Sequence, residues 1–463
     1  MKFKIQLVVV ADDGREETAQ EIAVLDKDCH SVEHVGLTLA ESKTVLKELQ
    51  CQLVTQQVAV FTDASRPCPD CGTSRKIKGH HSLMFRTLFG NVSLQSPRLH
   101  HCRCSSQPSA TFSPLAQLFT EPTAPELLYM ETKWASLVSY GLTVKALTDF
   151  LPIDEKLNAS TVRNHTLAVA QRSERGLGEE QLFFIDGCPR DWEALPEPEG
   201  PITVGIDGGY LRHWEKKKTN FEVIVGKSVP TDRSPKCFGF VQSYDKKPKR
   251  RLFEVLRSQG LQHNQEIAFL SDGEDTVRQL QWYLNPQSDH ILDWFHLTMR
   301  LTVLGQFLKG LIHLDPVIGG DMQRELERTK WYLWHGNGEQ ALFWFEDIEM
   351  LMYNFEDTYP KFKQLEKVVA EFLRYIERNR HMIRNYGERW RTGQVISTAF
   401  TESLVNSLLG KRFTKKQQMQ WTHKGAHLLL QTRTKTINNE LPALFRQWYA
   451  DFQPNPETYR EAA

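Results

Sequence analysis

The hydrophobic and polar positions of the chain change period several times, and each change marks an element. Residues 1–11, opening Met1-Lys-Phe-Lys-Ile-Gln-Leu-Val-Val-Val, read as a strand. From Leu37 to Phe61 the apolar positions Leu39, Val45, Leu46, Leu49, Leu53 and Val58 recur at helical spacing among Glu, Lys and Gln. Between Ser65 and Thr111 the chain turns to Gly, Pro, His and Cys in short polar stretches, the pattern of a small module without a large core. Within it Ser82–Phe89 and Asn91–Leu94 alternate as the strands of a hairpin. Helical periodicity returns over Leu127–Tyr140, breaks at Gly141-Leu-Thr, resumes over Val144–Leu151 and stops at Pro152. A third helix opens at Ala159, with Ser160 or Thr161 near its cap. Residues 176–201 read as a loop-rich linker.

After Pro201 the period becomes that of buried strands. Ile202–Arg212, Phe221–Gly226 and Cys237–Tyr244 are three strands at short spacing, and Leu252–Leu261 is a helix. Ile267–Asp272 is a fourth strand ending in acid, Thr276–Leu284 a helix, and His290–His296 a fifth strand. Three strands, a helix, then alternating strand and helix is the order of a ribonuclease-H-like core, which sets the middle of strand one beside the end of strand four. Residues 298–395 are helical in pattern almost throughout, rich in Trp, Leu, Phe, Arg and Glu. The expected fold is multidomain α/β: a ribonuclease-H-like mixed sheet carrying an all-α insertion, preceded by a zinc ribbon and a helix-turn-helix bundle. The expected boundaries are 1–64 (strand and helix), 65–112 (ribbon), 113–180 (helix-turn-helix), 181–297 (first part of the core), 298–395 (insertion), 396–440 (core helix and basic tract) and 441–463 (tail).

At 463 residues the chain has room for two to four domains, and 40% hydrophobic with 25% charged residues excludes wholesale disorder. No apolar run reaches the ~18 residues of a membrane helix. The apolar start meets Asp12-Asp13 without a small-residue cleavage site, so a cytoplasmic protein is expected. Lys plus Arg and Asp plus Glu each total 57, which argues against indiscriminate coating of nucleic acid and leaves local patches as the route to DNA. Eight cysteines are too few for a disulfide scaffold. Four are clustered as Cys68-Pro-Asp-Cys71 and Cys102-Arg-Cys104, pairs spaced to close a tetrahedral Zn²⁺ site. His80, His81, His100 and His101 lie near enough to replace one sulfur; the alternative is four incidental thiols. Cys29, Cys51, Cys188 and Cys237 are scattered, as packing residues are.

The acids of the second half carry the candidate chemistry. A carboxylate on a buried strand is costly without a partner or cation, and two facing carboxylates need a divalent metal to stay ionised together. Asp207 and Asp272 fill those positions, with Mg²⁺ or Mn²⁺ as the cation their hard oxygens suit. The third carboxylate comes from a helix packed on the sheet, and Glu402 in Ser397-Thr-Ala-Phe-Thr-Glu402 supplies it once the helical block is read as an insertion. Glu274 and Asp275, rivals to Asp272, fall in a first helical turn where acids stabilise the macrodipole. Asp186, ending Leu182-Phe-Phe-Ile-Asp186, lacks the following hairpin strands and is a decoy for Asp207. From Glu402 to Glu440 there is no acid. Lys411, Arg412, Lys415, Lys416, Lys424, Arg433 and Lys435 lie there with Phe413 and Trp421 interleaved, a tract suited to gripping phosphates. Further basic clusters stand at 216–218 and 246–251, the first a solvated run. Trp331, Trp334, Trp344 and His335 suit either a core or base stacking. In the third N-terminal helix Thr161, Arg163 and Asn164 sit where a recognition helix meets base edges, a pattern any small three-helix bundle shares.

Taken together, Asp207-Gly-Gly-Tyr, Phe269-Leu-Ser-Asp272-Gly, Leu292-Asp293-Trp-Phe-His296, Thr401-Glu402-Ser, Lys415-Lys-Gln-Gln-Met-Gln-Trp421 and Gly425-Ala-His-Leu-Leu-Leu resemble the DDE transposases of bacterial insertion sequences, in particular the ISKra family with its all-α insertion and Asp-x-x-His signature. The resemblance covers roughly residues 200–440. It implies a metal-binding triad of Asp207, Asp272 and Glu402, a place for Asp293 and His296 beside the site, and action on double-stranded DNA, at element ends and target, by a homo-oligomer. Asp293-x-x-His296 either orients DNA and braces the triad or is a buried pair holding the insertion to the core. A structure-specific nuclease on the same core and a catalytically silent zinc-ribbon regulator are the alternatives. Neither a Gly-x-Gly-x-x-Gly fingerprint nor a phosphate loop is present.

Overall fold

The computed structural model describes the chain except residues 11–13, 15, 29, 105–109, 154–155, 183, 186–188, 199, 217, 274–279, 281–287, 415–418 and 455–463. Cys29, Asp186, Cys188, Glu274, Asp275, Lys415 and Lys416 therefore lie outside the described residues, as does the expected helix Thr276–Leu284 apart from Leu280. The chain forms two compact units, Met1–Gln171 with Asn439–Ala463, and Arg172–Asn438. No helix among the described residues is long and apolar enough to cross a membrane.

In the first unit β1 (Lys2–Val10) and β2 (Glu16–Asp26) form an antiparallel hairpin. Helix α1 (Leu39–Ala64) begins with a capping box: Thr38 Oγ1 accepts from Glu41 N, and the Glu41 carboxylate accepts from Thr38 N at 2.8 Å. It buries Val54 and Val58 against Val92 and Leu94. Those two belong to β4 (Gly90–His100), which lies between β3 (Ile77–Thr87) and β5 (Thr111–Phe112) in a three-stranded sheet. Short α2 (Leu115–Leu118) leads to three helices, α3 (Pro125–Leu137), α4 (Tyr140–Phe150) and α5 (Ala159–Arg175). The expected break at Gly141 falls earlier. Ser139 caps α4 through Leu142 N at 3.3 Å, so Gly141-Leu-Thr forms the first turn. The cap of α5 is Asn158, whose Oδ1 accepts from Ser160 N and Thr161 N, each at 3.0 Å; an amide caps as well as the expected hydroxyls. Segment 441–463, expected as a tail, begins with helix Leu441–Trp448, whose Phe445 meets Tyr129 of α3 edge-on at 5.4 Å beside Val169 and Phe452.

The second unit is built on a five-stranded mixed sheet. After short α6 (Pro189–Glu193) come β6 (Ile202–Arg212), β7 (Asn220–Pro230) and β8 (Lys236–Val241), antiparallel in succession. On the other side of β6, β9 (Ile267–Ser271) and β10 (Asp289–Leu292) run parallel to it, giving the order β10-β9-β6-β7-β8. Helix α7 (Pro248–Ser258) packs Leu252 and Leu256 with Val204, Ile206 and Phe269. The linker contributes Phe184 and Ile185 to that core. Between β10 and the rest stand α8 (Trp294–Ile312), α9 (Pro316–Trp334), α10 (Gly338–Met352), α11 (Phe362–Asn379) and α12 (Tyr386–Arg391). They share a core of Leu304, Leu308, Met322, Phe345 and Phe372 that continues into Leu270 and Ile291 of the sheet. Helix α13 (Ala399–Val405) runs into a π-helical segment, Asn406–Thr414, and α14 (His423–Ile437) follows. The helix in the first unit's C-terminal segment is α15.

A buried ion cluster ties this unit together. Arg251 on α7 donates to Asp245 Oδ2 at 2.9 Å, to Glu174 at 2.8 and 3.0 Å, and to Gln431 Oε1 of α14 at 2.6 Å; its Nη2 lies 3.4 Å from His427 Nε2. Glu174, Asp245 and His427 come close enough together to ligate an ion, but the guanidinium already occupies their centre. Burial alone would raise the Glu174 carboxyl; hydrogen bonds from His427 and Arg251 bring it to about 2. Its stabilisation is therefore full above about 4.5 and is lost as pH falls toward about 2. Arg251→Met should cost about 3–5 kcal/mol in urea unfolding, because it strands two carboxylates in the interior. Its acid unfolding midpoint should also rise.

Candidate active site

Strand register aligns the acids. Gly205 of β6 lies beside Leu270 of β9, so Asp207 and Asp272 are level two residues on. Leu292 of β10 lies beside Ser271, so Asp293 is level with Asp272, and Asp293 N extends the ladder to Ser271 O at 2.8 Å. Three carboxylates thus stand level where β9 and β10 end and midway along β6, the carboxyl end of the parallel strands being the edge of an α/β sheet where ligands bind. Burial pushes the Asp207 carboxyl up, and the charges of Asp272 and Asp293 add to it; the Gly208 N–H, 2.7 Å away, and His296 oppose.

The two glycines of β6 explain how a helix reaches this row. Residues 205, 207 and 209 share one face of the strand. A Cβ on Gly205 would lie 2.1 Å from Thr401 Oγ1, and one on Gly209 would lie 2.5 Å from Leu409 Cδ1. Helix α13 and its π-helical continuation therefore rest on bare backbone to either side of Asp207. Glu402 follows Thr401 on that helix and is exposed. Gly205→Ala should destabilise the unit by about 1–3 kcal/mol, measured by urea unfolding, because Thr401 cannot stay where it is. Asp207, Asp272 and Glu402 are not drawn into one set with all ligand atoms within 4.8 Å; among the described residues only the four cysteines and Glu174, Asp245 and His427 are. Carboxylates serving two ions about 3.5–4 Å apart spread wider than one ion's shell.

Asp293 and His296 are placed differently from expectation. The fifth strand ends at Leu292, and Asp293 caps α8. Its buried carboxylate accepts from Phe295 N at 2.9 Å, Thr398 N at 3.0 Å, His296 Nδ1 at 2.6 Å and Thr398 Oγ1. Both oxygens are thereby engaged. Sequence periodicity missed the switch because Asp is a good helix cap directly after an apolar run. Burial would raise the Asp293 carboxyl, but these hydrogen bonds hold it below the usual range. Hydrogen bonding to Asp293 raises the His296 imidazole against burial, and the charges of Asp293, Asp272 and Asp207 act in the same direction. Thr398 is the N-cap residue of α13. Asp293 therefore joins the start of the helical block to its exit and sets the helix that carries Glu402. Two tyrosines join in: Tyr375 donates to Asp272 O at 2.9 Å and Tyr386 to Leu292 O at 2.7 Å. Sequence gave no sign of Thr398, Tyr375 or Tyr386.

No protein-family model matches this chain. No curated protein matches it either.

The basic tract divides. Lys411 and Lys424 are exposed. Arg412 and Trp421 are interior, stacked at 5.5 Å, and Trp421 packs on Phe413 at 4.8 Å, which takes both out of any phosphate-facing surface. Arg433 is buried and donates to Leu408 O and Ser407 O. The lack of acids follows from burial: α14 is interior from Gly425 to Thr434, where an unpaired carboxylate would be costly. The 246–251 cluster is likewise internally paired, Lys247 with Glu179, Arg250 with Glu254 and Arg251 in its network. Among the insertion tryptophans, Trp334 packs on Trp294 at 5.0 Å and Trp344 lies under Arg328 at 4.2 Å, while Trp331 is 62% exposed and stacks on His335.

In the first unit the four cysteines converge. Cys68 Sγ is 3.5 Å from Cys104 Sγ, and Cys71 Sγ is 3.4 Å from Cys102 Sγ and 3.5 Å from Cys104 Sγ. Zinc with Zn–S bonds of 2.3 Å sets sulfurs about 3.8 Å apart, so the cluster fits a tetrahedral ion, and none of the four histidines belongs to it. Gly72 at φ +69° turns the first knuckle, donating to Cys68 O at 2.9 Å. Hydrogen bonding with Thr73, then with Cys102 and Cys104, lowers the Cys71 thiol to about 6. At the start of α5, Arg163 and Asn164 are exposed and Thr161 is half-buried. His165 pairs with buried Glu131 at 2.5 Å, fixing α5 on α3. Eight residues separate α4 from α5, more than the 3–4 of a tight helix-turn-helix.

Proposed function

We propose that this protein is a DNA transposase of the insertion-sequence type, with Asp207, Asp272 and Glu402 as its metal-binding acids. The observation that carries the proposal is Asp207 on β6 level with Asp272, which directly follows the adjacent parallel strand β9 in a sheet ordered β8-β7-β6-β9-β10, under a helix bearing a third acid. That strand order is the one a ribonuclease-H-like core requires, and the helices between β10 and α13 stand where the family's all-α insertion would.

Mg²⁺ or Mn²⁺ on these carboxylates would supply charge for in-line phosphoryl transfer, activating the attacking oxygen and stabilising the leaving one. Asp207 and Asp272 hold the cation side of the site, and their mutual repulsion keeps ligand-binding capacity free. Asp293 positions: it fixes the insertion's two ends and the helix of Glu402. His296, whose imidazole the hydrogen bond to Asp293 raises, would offer a proton beside the row. Exposed Lys411 and Lys424 would meet phosphates. Cys68, Cys71, Cys102 and Cys104 would hold a structural Zn²⁺, and Arg163 and Asn164 with Thr161 at the start of α5 would read element ends in double-stranded DNA. A homo-oligomer would hold two ends together.

The test is a supercoiled plasmid carrying the gene's own flanking DNA, incubated with protein and Mg²⁺, with nicks mapped to the nucleotide. Discrete 3′-hydroxyl ends at two borders support the transposase. Cuts at branched DNA alone indicate a nuclease, and border binding without cleavage indicates a regulator.

A further inference from the structure

The strand that carries Asp207 does not stop with the sheet. Its register with β9 runs to Gly205, and that of its partner β7 with β8 to Val223, where Gln242 N adds a last bond to Glu222 O at 3.2 Å; past these Tyr210–Arg212 and Asn220–Phe221 form a two-stranded arm. Along it Leu211 is buried and His213 half-buried, the latter packing on Phe221 at 5.9 Å and on His423 at 4.9 Å. The alternate positions face out. Tyr210 is 62% exposed, Trp214 is 59% exposed, and Arg212 between them is exposed. The arm is braced from behind: Trp421 N donates to Arg212 O and Trp214 N to Trp421 O, each at 2.9 Å. Exposed Lys216 and Lys218 lie at its turn, and exposed Lys424 follows His423.

Two large aromatics flanking an arginine at period two, on a rigid strand ringed with lysines, make a poor solvent surface and a good stacking surface. Successive bases stack on such aromatics irrespective of sequence, and lysines track the phosphates. Protein partners are less well matched, because the exposed charge around the aromatics is mainly positive. Tyr210 lies three residues from Asp207, roughly 10 Å along the strand and on its opposite face. We propose that the arm Tyr210–Asn220, on the strand that carries Asp207, binds an unpaired DNA strand, with bases on Tyr210 and Trp214 and phosphates on Arg212, Lys216, Lys218 and Lys424. This deepens the transposase reading, naming the surface that takes a strand opened at the cut.

The full-length protein is titrated with fluorescein-labelled oligothymidylate and, separately, with the blunt duplex of a border, in the absence of divalent metal. Tyr210→Ala with Trp214→Ala should weaken oligothymidylate binding by at least about tenfold and leave duplex binding unchanged. Tyr210→Phe with Trp214→Phe should keep most of the affinity, and Lys216→Ala with Lys218→Ala should flatten its salt dependence. Oligothymidylate affinity unchanged in the alanine pair overturns the proposal. So does a fall in sedimentation coefficient with affinity intact, which would make the arm a contact between copies. Asp272→Asn should bind oligothymidylate like wild type, so failed cleavage and failed stacking are told apart.

Discussion

Asp207→Asn and Asp272→Asn are each expected to lower metal-dependent strand cleavage by roughly three orders of magnitude or more, since on the proposed function each would remove a charged ligand from the ions that carry phosphoryl transfer. The same substitutions should not unfold the protein. Asp207 is raised above its ordinary value by burial and by Asp272 and Asp293, so keeping it charged at neutral pH works against the fold. A raised carboxyl contributes stability below its unfolded value of about 3.8 and loses it as pH climbs through the folded one. Asp207→Asn should therefore melt a few degrees higher than wild type without metal, a trade of activity for stability common at such sites. Adding Mn²⁺ should raise the wild-type melting temperature and leave both variants where they are. Cleavage rates with melting curves, with and without metal, check both halves. A variant that loses cleavage by unfolding would show a lowered melting temperature instead.

Cys68→Ser or Cys71→Ser is expected to abolish one equivalent of bound zinc and to weaken border-duplex binding by about a hundredfold. The energetic basis is that structural zinc contributes on the order of 10 kcal/mol to small metal modules, which do not hold their fold without it. The damage should stay local. The sheet of β3, β4 and β5 keeps its own core of Val54, Val58, Val92, Leu94 and Leu115, distinct from the cysteine knuckles. Far-UV circular dichroism should thus change little while zinc content, measured by mass spectrometry, falls to zero. A chelator should reproduce the effect in wild type. Cleavage of oligonucleotides that bypass end recognition should survive.

The elements whose side chains alternate against a core were legible from sequence. The five strands of the second unit, the hairpin of β3 and β4, and the helical block after β10 follow from periods of two and 3.6 alone. Asp207 and Asp272 drew notice because an acid in or directly after an apolar strand needs a reason, and the register sets them level. What sequence could not convey was contact at long separation. Asp293 looked like a strand residue because nothing local reveals that Thr398, 105 positions away, completes its shell. Arg412 and Trp421 looked like a DNA-binding pair because an acid-free basic tract has the same composition on a surface and in an interior. Arg251, Glu174, Asp245 and His427 came from separate elements and gave no shared signal until folded.

The most direct measurement is the anomalous scattering of Mn²⁺ diffused into crystals of the full-length protein. Peaks bonded to the carboxylates of Asp207 and Asp272, with Glu402 turned toward them, are the predicted result. Manganese at Glu174 and Asp245 in place of Arg251, or none beside β6 and β9 at saturating metal, would contradict the account.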